Sequence, residues 1–382
     1  MQGISRRTVL TGAAALGAIA TSRPARAAAR QDRIIINGLG GIEDPNLATL
    51  AKLHPELKLA GTGDVLTDRV WSDLKKSGVS AVNVTLGYVA GPDDPFESTV
   101  KDMADTDRKI RANPGKLMKV LTSADILTAK KTGQVGLIYG FQNSVQIGKK
   151  AERVDLYADL GLRILQLTYN PKNDLGGGSL AGDVGLTDFG REVMQRAEAK
   201  KVLLDLSHSG ERTCLDAARA AKRPIGINHT GCRALQDVAR NKTDEEMRAV
   251  ADTGGVIGIY FMPFLVANGR ATAADVVAHI EHALQVCGED HVSLGTDGTI
   301  TQNDDLDAYR AGLKKEIEER RAAGISAAGE NENVNTFVID LRGPDQFHHL
   351  AELLVARGHS QTRIDKILGG NLLRLYKDVW GA

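Results

Sequence analysis

Two histidines and one aspartate stand where three short apolar runs of the sequence end. His208 ends the run LLDLSH, His229 ends PIGINH 21 residues later, and Asp297 ends VSLGTD. Neighbouring strands lie about 4.8 Å apart, so two imidazoles at equivalent heights on adjacent strands could share a metal ion. A carboxylate in the place of Asp297 can accept a proton from a water nucleophile, although it could instead cap a helix. By itself the pattern is incomplete, because a catalytic zinc normally has three protein ligands and two histidines alone would hold it weakly.

Further polar residues follow other apolar runs of the same kind. Gln142 and Asn143 end VGLIYGFQN, and Tyr169 and Asn170 end RILQLTYN. A polar group at the end of a buried strand needs a partner or a role, because its burial without a hydrogen bond is costly. We therefore expect these strand ends to lie around one site.

The elements that carry these residues form a regular series. Short runs rich in β-branched residues alternate with helical patterns such as REVMQRAEAKK and TDEEMRAVADTG, which indicates parallel βα units. The eight runs are RIIING, AVNVTLG, VGLIYGFQ, RILQLTYN, VLLDLSH, PIGINH, VIGIYF and VSLGTD. Eight units predict an α/β fold of the (β/α)8 TIM-barrel type, whose active site lies at the C-terminal ends of the strands. A doubly wound open sheet is the alternative, but the glycines after the first run lack GxGxxG spacing.

Composition excludes several classes of function. Lys+Arg and Asp+Glu both total 48 in 382 residues, so no basic balance favours nucleic acid as a partner. Aromatic residues make up only 4%, which argues against a stacking surface for bases. The scattered Cys214, Cys232 and Cys287 predict small buried side chains, with one disulfide as the alternative.

The first thirty residues have the features of an export signal. Arg6 and Arg7 precede the apolar stretch TVLTGAAALGAIA, and Ala25-Arg26-Ala27 supplies a small-x-small cleavage pattern. We interpret residues 1–30 as a twin-arginine signal peptide and 31–382 as a single barrel domain, which predicts a periplasmic protein. The apolar stretch is shorter than the roughly 20 residues of a membrane span, and no later segment qualifies.

Successive blocks of the mature chain resemble the membrane (renal) dipeptidases, a branch of the metal-dependent amidohydrolase barrels. The blocks are LGLRILQLTYNPKN, DVGLTDFGREVM, LLDLSHSG, PIGINHTGCRAL, RNKTDEEMRAVADTGGVIGI, EDHVSLGTD and ILGGNLLRLYKDVW. The resemblance implies a barrel that cleaves dipeptides with two zinc ions. In such a barrel the ligands are a His-x-Asp pair after the first strand, a bridging glutamate after the third, and two later histidines.

Four residues match that pattern. His208 and His229 match the two later metal-binding histidines. Arg240 matches the arginine that binds the substrate carboxylate, for which a guanidinium is suited. Asp297 matches the aspartate near the substrate amino group and the catalytic water.

Other positions depart from the pattern. Leu39 and Gly41 stand in the His-x-Asp positions, and Gln142 stands where the bridging glutamate is expected. Tyr169 replaces a histidine that polarises the scissile carbonyl, and we take Tyr169 and Asp297 as candidate catalytic residues. With three of five ligands replaced, we expect one zinc ion or none. A single ion would be held by His208 and His229, and in one version of this expectation also by Asp297.

Two nearby carboxylates offer a rescue of the first-strand ligands. Glu43 and Asp44 lie just after the glycine-rich corner, residues 37–41, that follows the first strand. Their carboxylates could turn into the position of the lost ligands, although Pro45 stiffens the loop. We expect Arg240, Gln142 and Asn143 to contact a small peptide-like substrate. The alternatives to hydrolysis of a dipeptide-like amide are a tailoring enzyme for a peptide-derived natural product and a non-catalytic carboxylate binder.

A charged segment interrupts the barrel pattern after its eighth strand. Residues 300–340 include DAYRAGLKKEIEERRAAGISAAGENENVNTF, which is typical of a solvated helix followed by a polar loop. A lid over the rim and a contact in a homodimer are the alternative roles of this insert.

Overall fold

The structure is a computed structural model, and it describes residues 33–56, 63–327 and 329–381. The export signal predicted for residues 1–30 lies outside the described residues. Among those described, no helix has both the length and the apolar character that crossing a membrane would require.

Eight parallel strands form the barrel wall in chain order, which confirms the predicted fold and all eight predicted runs. They are β1 (Ile36–Asn37), β2 (Ala81–Leu86), β3 (Val135–Phe141), β4 (Leu162–Gln166), β5 (Leu203–Asp205), β6 (Gly226–Thr230), β7 (Val256–Ile259) and β8 (Val292–Leu294). A ninth short strand, Leu117–Lys119, pairs with β3 outside this order. The strands are short and buried, as expected for a sheet covered on both faces.

The first and last strands meet at a glycine-rich seam. The Gly38 amide donates to the Leu294 carbonyl oxygen at 2.9 Å, and the Asp297 amide donates to the Leu39 carbonyl oxygen at 2.9 Å. Just beyond, Gly40–Gly41 pairs in parallel with Gly298–Thr299. A Cβ atom on Gly40 would approach the Gly298 carbonyl oxygen to 2.8 Å, so this seam requires glycine. It places Asp297 directly beside the first-strand corner.

Most of the helices cover the outside of the barrel, and two of them lie at its two ends. The helices are α1 (Pro45–Leu53), α2 (Asp68–Ser77), α3 (Pro95–Ala112), α4 (Ser123–Thr132), α5 (Arg153–Asp159), α6 (Asp188–Ala199), α7 (Glu211–Ala220), α8 (Asp244–Asp252), α9 (Ala273–Cys287), α10 (Leu306–Ala322), α11 (Gln346–Ala356), α12 (Gln361–Asp365) and α13 (Asn371–Trp380). Their sequences carry ordinary start signals: Thr243 and Glu246, for example, form a reciprocal capping box at α8. Where a helix follows a strand in a βα unit, as α6 follows β4 and α8 follows β6, its buried residues pack on the barrel wall. The two helices at the ends of the barrel are α10 and α13.

Helix α13 closes the lower end of the barrel. Its residues Tyr376 and Trp380 pack with inward-facing Ile164 and Leu203 in one buried cluster. The Tyr376 and Trp380 rings stack at 4.0 Å, and Trp380 Nε1 donates to the Arg163 carbonyl oxygen at 3.2 Å. The opposite, C-terminal end of the strands is left for the site.

The three cysteines are free, so no disulfide links them. Cys214 and Cys232 are buried as predicted, whereas Cys287, the last residue of α9, is only partly buried. Burial raises the pKa of the Cys214 thiol. Buried thiols of this kind act as small apolar side chains.

Candidate active site

A cavity of about 370 Å³ opens above the C-terminal ends of the strands. Five of the seven predicted site residues line it: Gln142, Tyr169, His208, Arg240 and Asp297. The strand ends therefore bring these residues together, as the barrel geometry requires. His229 and Asn143 are not part of the cavity wall.

The two histidines form a buried pair. Their Nε2 atoms lie 3.0 Å apart, with His229 fully buried behind His208. His208 Nδ1 lies 2.7 Å from Asn170 Oδ1, and the Asn170 amide nitrogen donates to the Ile325 carbonyl oxygen at 2.9 Å. The Asn170 oxygen must then accept, so His208 carries its proton on Nδ1 and its lone pair on Nε2. Burial first, and then the Arg240 charge, lower the pKa of both imidazoles, which are therefore neutral near pH 7.

The pair supplies only part of a zinc site. Two nitrogens bound to one zinc at about 2.0–2.1 Å each would lie roughly 3 Å apart, which suits these Nε2 atoms. Among residues 33–56, 63–327 and 329–381, however, no group of three or more His, Cys, Asp or Glu side chains could hold a metal ion. Asp297 is thus not placed as a third ligand beside the two histidines, and the version of our expectation in which all three residues hold one zinc ion is wrong.

One neighbour of the pair and one feature of His229 itself also disfavour a bound metal ion. Arg240 Nη2 lies 3.3 Å from His208 Nε2, so a guanidinium stands beside the nitrogen that would bind a dication. His229 Nδ1 has no hydrogen-bond partner among the described residues, whereas a metal-binding histidine almost always donates its second N–H. The residues present fit neither a two-zinc centre nor the three-ligand rule for a catalytic zinc.

The first-strand corner holds apolar and glycine residues in place of ligands. Leu39 is buried, and a side chain at Gly41 would overlap the Glu43 carboxylate, which occupies that space. Asp44 is used elsewhere: its carboxylate accepts from the Asn46 amide at 3.0 Å and caps α1. Of the two carboxylates considered for a rescue, only Glu43 therefore reaches the vacated position.

Gln142 and Asn143 make protein contacts. Gln142 Nε2 donates to Thr85 Oγ1 at 2.6 Å at the cavity wall. The Asn143 amide nitrogen donates to the Val89 carbonyl oxygen, and its oxygen accepts from the Ser144 amide at 2.8 Å. Asn143 therefore braces the loop after β3 instead of facing the cavity.

Arg240 is a buried cation without a carboxylate partner among the described residues. Only 4% of the residue is exposed, and its Nη1 donates to the Ser207 carbonyl oxygen at 2.6 Å. Its guanidinium carbon lies 5.7 Å from the Tyr260 ring centroid, within cation–π range. A guanidinium held by backbone and aromatic contacts keeps donors available for an anion in the cavity.

Asp297 lies across the cavity in a strained backbone conformation. Its φ of 56° falls in the left-handed region, which aspartate tolerates better than most residues. No helix begins at this position, so the helix-cap interpretation is wrong. Burial raises the pKa of the carboxyl group to about 6, although the Arg240 and Arg320 charges act to lower it. A carboxyl group with such a pKa can exchange protons near neutral pH.

The insert, described for residues 300–327 and 329–340, forms the roof of the cavity. Helix α10 buries Tyr309, Leu313 and Ile317. The last two of these, together with Arg320, line the same cavity as the predicted site residues. Only the outer face of the helix is solvated. Of the roles considered for this segment, the structure supports the lid.

Sequence reasoning missed Arg320 and Glu330 of this roof. Both lie in charged or polar stretches that look like solvent-facing sequence. A usable signal was the spacing of Tyr309, Leu313 and Ile317, which places three apolar residues on one helix face. That pattern predicts a packed face, but it does not identify which charges turn inward.

A family model described as membrane dipeptidase (peptidase family M19) matches residues 48–325. An uncharacterized protein in the pqqA 5′ region of Klebsiella pneumoniae is 28% identical over 302 residues, which is 76% of this chain and 98% of that protein.

Solved structures are similar over nearly the whole chain. An amidohydrolase from Pseudomonas aeruginosa is 28% identical with a TM-score of 0.76, covering 94% of this chain and 99% of that one. A metallopeptidase from Rhodobacter sphaeroides, solved with a phosphinate mimic of L-Ala-D-Ala, is 21% identical with a TM-score of 0.67. That comparison covers 91% of this chain and all of the other, and it supports the fold alone.

Proposed function

The chain belongs to the membrane dipeptidase family of peptide-bond hydrolases, and on that premise we propose that it hydrolyses dipeptide-like amides with a reduced metal site of one ion or none. The observation that carries this proposal is the buried Arg240 guanidinium, which has no carboxylate partner among the described residues and faces a cavity that also contains Asp297 and Tyr169. A dipeptide offers the missing carboxylate, and its amide bond is the group on which Asp297 and Tyr169 would act.

We assign roles to the side chains from their chemistry. Arg240 binds the C-terminal carboxylate of the substrate through charge-assisted hydrogen bonds. Asp297, with its pKa of about 6, takes a proton from a water molecule that attacks the amide carbon. The Tyr169 hydroxyl donates a hydrogen bond to the carbonyl oxygen as that oxygen gains negative charge. The proton on Asp297 then passes to the amide nitrogen as the C–N bond breaks.

We derive no step through a metal ion, because the described residues lack a third ligand beside His208 and His229. A zinc bound by both histidines would act as a Lewis acid on the carbonyl oxygen. With neutral imidazoles and no ion, the pair instead supports the floor of the cavity behind Tyr169, whose ring stacks on His208 at 4.2 Å.

The direct test is the release of free amino acids from a panel of L,L- and L,D-dipeptides, measured with the metal content of the same sample. We expect turnover that Arg240→Gln and Asp297→Asn both abolish or sharply reduce. Turnover unaffected by either variant would contradict the proposal.

A second function, a carboxylate binder or a tailoring enzyme without hydrolysis, is favoured by one observation. Leu39, Gly41 and Gln142 occupy three expected ligand positions, and none of them can replace an anionic or imidazole ligand. Dipeptide binding that depends on Arg240 without any product release would support this second function.

We also propose a periplasmic location, on the strength of the Arg6-Arg7 pair and the apolar stretch after it. Cell fractionation of a tagged chain tests this proposal. Replacement of both arginines by lysine should retain the protein in the cytoplasm, and unchanged export would contradict a twin-arginine signal.

A further inference from the structure

The lid, residues 306–327 and 329–337, contributes an arginine to the cavity wall. Arg320 lies near the C-terminal end of α10 and is one of the lid residues that face the site. Its side chain is 22% exposed, so it is far less solvated than the neighbouring Arg321, which is 53% exposed. The difference shows that Arg320 belongs to the packed face of the lid.

A carboxylate from the same lid fixes the Arg320 guanidinium. Arg320 Nη2 donates to Glu330 Oε1 at 2.7 Å and Nε donates to Glu330 Oε2 at 3.0 Å. This two-point contact orients the planar group, and the Glu330 side chain is only 12% exposed. Because Glu330 balances its charge, Arg320 is poorly suited to bind a second substrate anion.

The remaining edge of Arg320 contacts Tyr169. Its Nη1 donates to Tyr169 Oη at 3.1 Å, and its guanidinium carbon lies 5.8 Å from the Tyr169 ring centroid. A guanidinium can only donate, so the phenol oxygen accepts and the phenol proton remains available to another acceptor. The Tyr169 ring is held from below by its stacking on His208.

We propose that Arg320 is a positioning residue: it holds Tyr169 Oη from the lid side and thereby directs the phenol proton at the carbonyl oxygen of the substrate. The identity of that acceptor rests on the proposed function. No bond is made or broken by either residue, since the phenol donates a hydrogen bond that strengthens as the carbonyl oxygen becomes negative. The lid then completes the reactive site as well as covering it.

The kinetic test compares Tyr169→Phe, Arg320→Gln, Arg320→Lys and the double variant Tyr169→Phe/Arg320→Gln. We expect Tyr169→Phe to lower kcat by roughly 100-fold, as loss of one oxyanion donor does elsewhere, with a smaller change in KM. Arg320→Gln should lower kcat about tenfold, Arg320→Lys less, and the double variant no more than Tyr169→Phe alone. Arg310→Gln, whose partner is the exposed Asp307, is the matched control.

Two results would overturn the proposal: an unchanged kcat in Arg320→Gln, or losses that multiply in the double variant. A readout without turnover uses binding of alanylalanine and of its reduced analogue, which has a methylene in place of the carbonyl. Arg320→Gln should weaken alanylalanine binding roughly two- to threefold, less than it lowers kcat, and leave binding of the analogue unchanged. An equal loss for both ligands would indicate a merely structural role.

If the wild-type protein binds no dipeptide, the proposed function fails while the Arg320 proposal can still be judged. The contact can be read from the near-ultraviolet absorbance of Tyr169 at neutral pH, taken as the difference between wild-type and Tyr169→Phe protein. A guanidinium donor on the phenol oxygen shifts this band, so the band should move in Arg320→Gln and stay in place in Arg310→Gln. An unmoved band in Arg320→Gln would show that Arg320 does not act on Tyr169.

Discussion

The Nε2 atoms of His208 and His229 lie 3.0 Å apart, while the Nδ1 atom of His229 has no hydrogen-bond partner among the described residues. The first distance suits two ligands of one ion, and the second feature is unusual for a metal ligand. The pair thus keeps the spacing of two metal ligands, but His229 lacks the second hydrogen bond that normally orients a metal-binding histidine.

This arrangement of the two histidines limits how much zinc the protein can bind. We predict at most one zinc per chain after equilibration with zinc and dialysis, measured by elemental analysis. The triple variant Leu39→His/Gly41→Asp/Gln142→Glu restores the replaced ligand types and should bind more zinc than the wild type. Gln142→Glu alone is the control, because one added carboxylate leaves the corner without its histidine. Two tightly bound ions in the wild type would contradict this prediction.

Loss of Arg240 should weaken substrate binding more than it affects folding. Arg240→Gln removes a charged donor, so we expect dipeptide affinity to fall about 10- to 100-fold, equivalent to ~1.5–3 kcal/mol. Calorimetry or KM measures the change. Arg233→Gln is the control, because Arg233 pairs with Glu211 outside the cavity. Equal affinity in wild type and Arg240→Gln would exclude Arg240 as the carboxylate site.

The activity should rise with pH through the titration of Asp297. Its carboxyl group must be ionised to accept a proton, and burial raises its pKa to about 6. We therefore predict that kcat/KM increases between about pH 5 and pH 7 and then levels. A profile already flat at pH 4.5 would mean that another group acts as the base.

Asp297→Asn should stabilise the protein at neutral pH. The pKa of this carboxyl rises from 3.8 to about 6 on folding, so the folded state binds its proton more tightly than the unfolded chain does. Stability therefore falls as pH rises from about 4 to about 6, and the loss is complete above that range. Because Asp297 is only partly buried, we expect a gain of about 1–2 kcal/mol at pH 7.5, vanishing near pH 4. Urea unfolding at both pH values measures it, and an equal gain at both would contradict the linkage.

Most of the barrel and half of the site could be predicted from the sequence. The apolar runs ending in Tyr169, His208 and His229 identified the strands and the rim, because strand ends in a barrel share one face. Arg320 could not be predicted from its neighbours, since its contacts with Tyr169 and Glu330 depend on how the lid folds back over the rim. The pairing of β6 with β7 also departs from a regular register between Ile227 and Thr230, around His229, which an apolar run alone does not predict.

A buried ion pair beside the site should be important for stability. Lys242 and Glu246 are almost fully buried, with Lys242 Nζ 2.9 Å from Glu246 Oε1 and also donating to the Ser209 carbonyl oxygen. Glu246→Gln leaves the ammonium without its counter-ion, and we expect a loss of about 3–5 kcal/mol. The control is Glu245→Gln, an exposed neighbour, which should change stability by less than about 0.5 kcal/mol. Similar values for both variants in urea unfolding would show that the buried pair is dispensable.

Helix α13 follows every barrel strand in the chain, and yet its Tyr376 and Trp380 fill the end of the barrel that those strands enclose. During synthesis this part of the inner surface of the barrel therefore stays uncovered until the helix has been made. A chain arrested before residue 371 would expose Ile164 and Leu203 to solvent and to chaperones. Docking of this helix is thus expected to be a late step of folding, because only then is the inner surface of the barrel shielded from solvent.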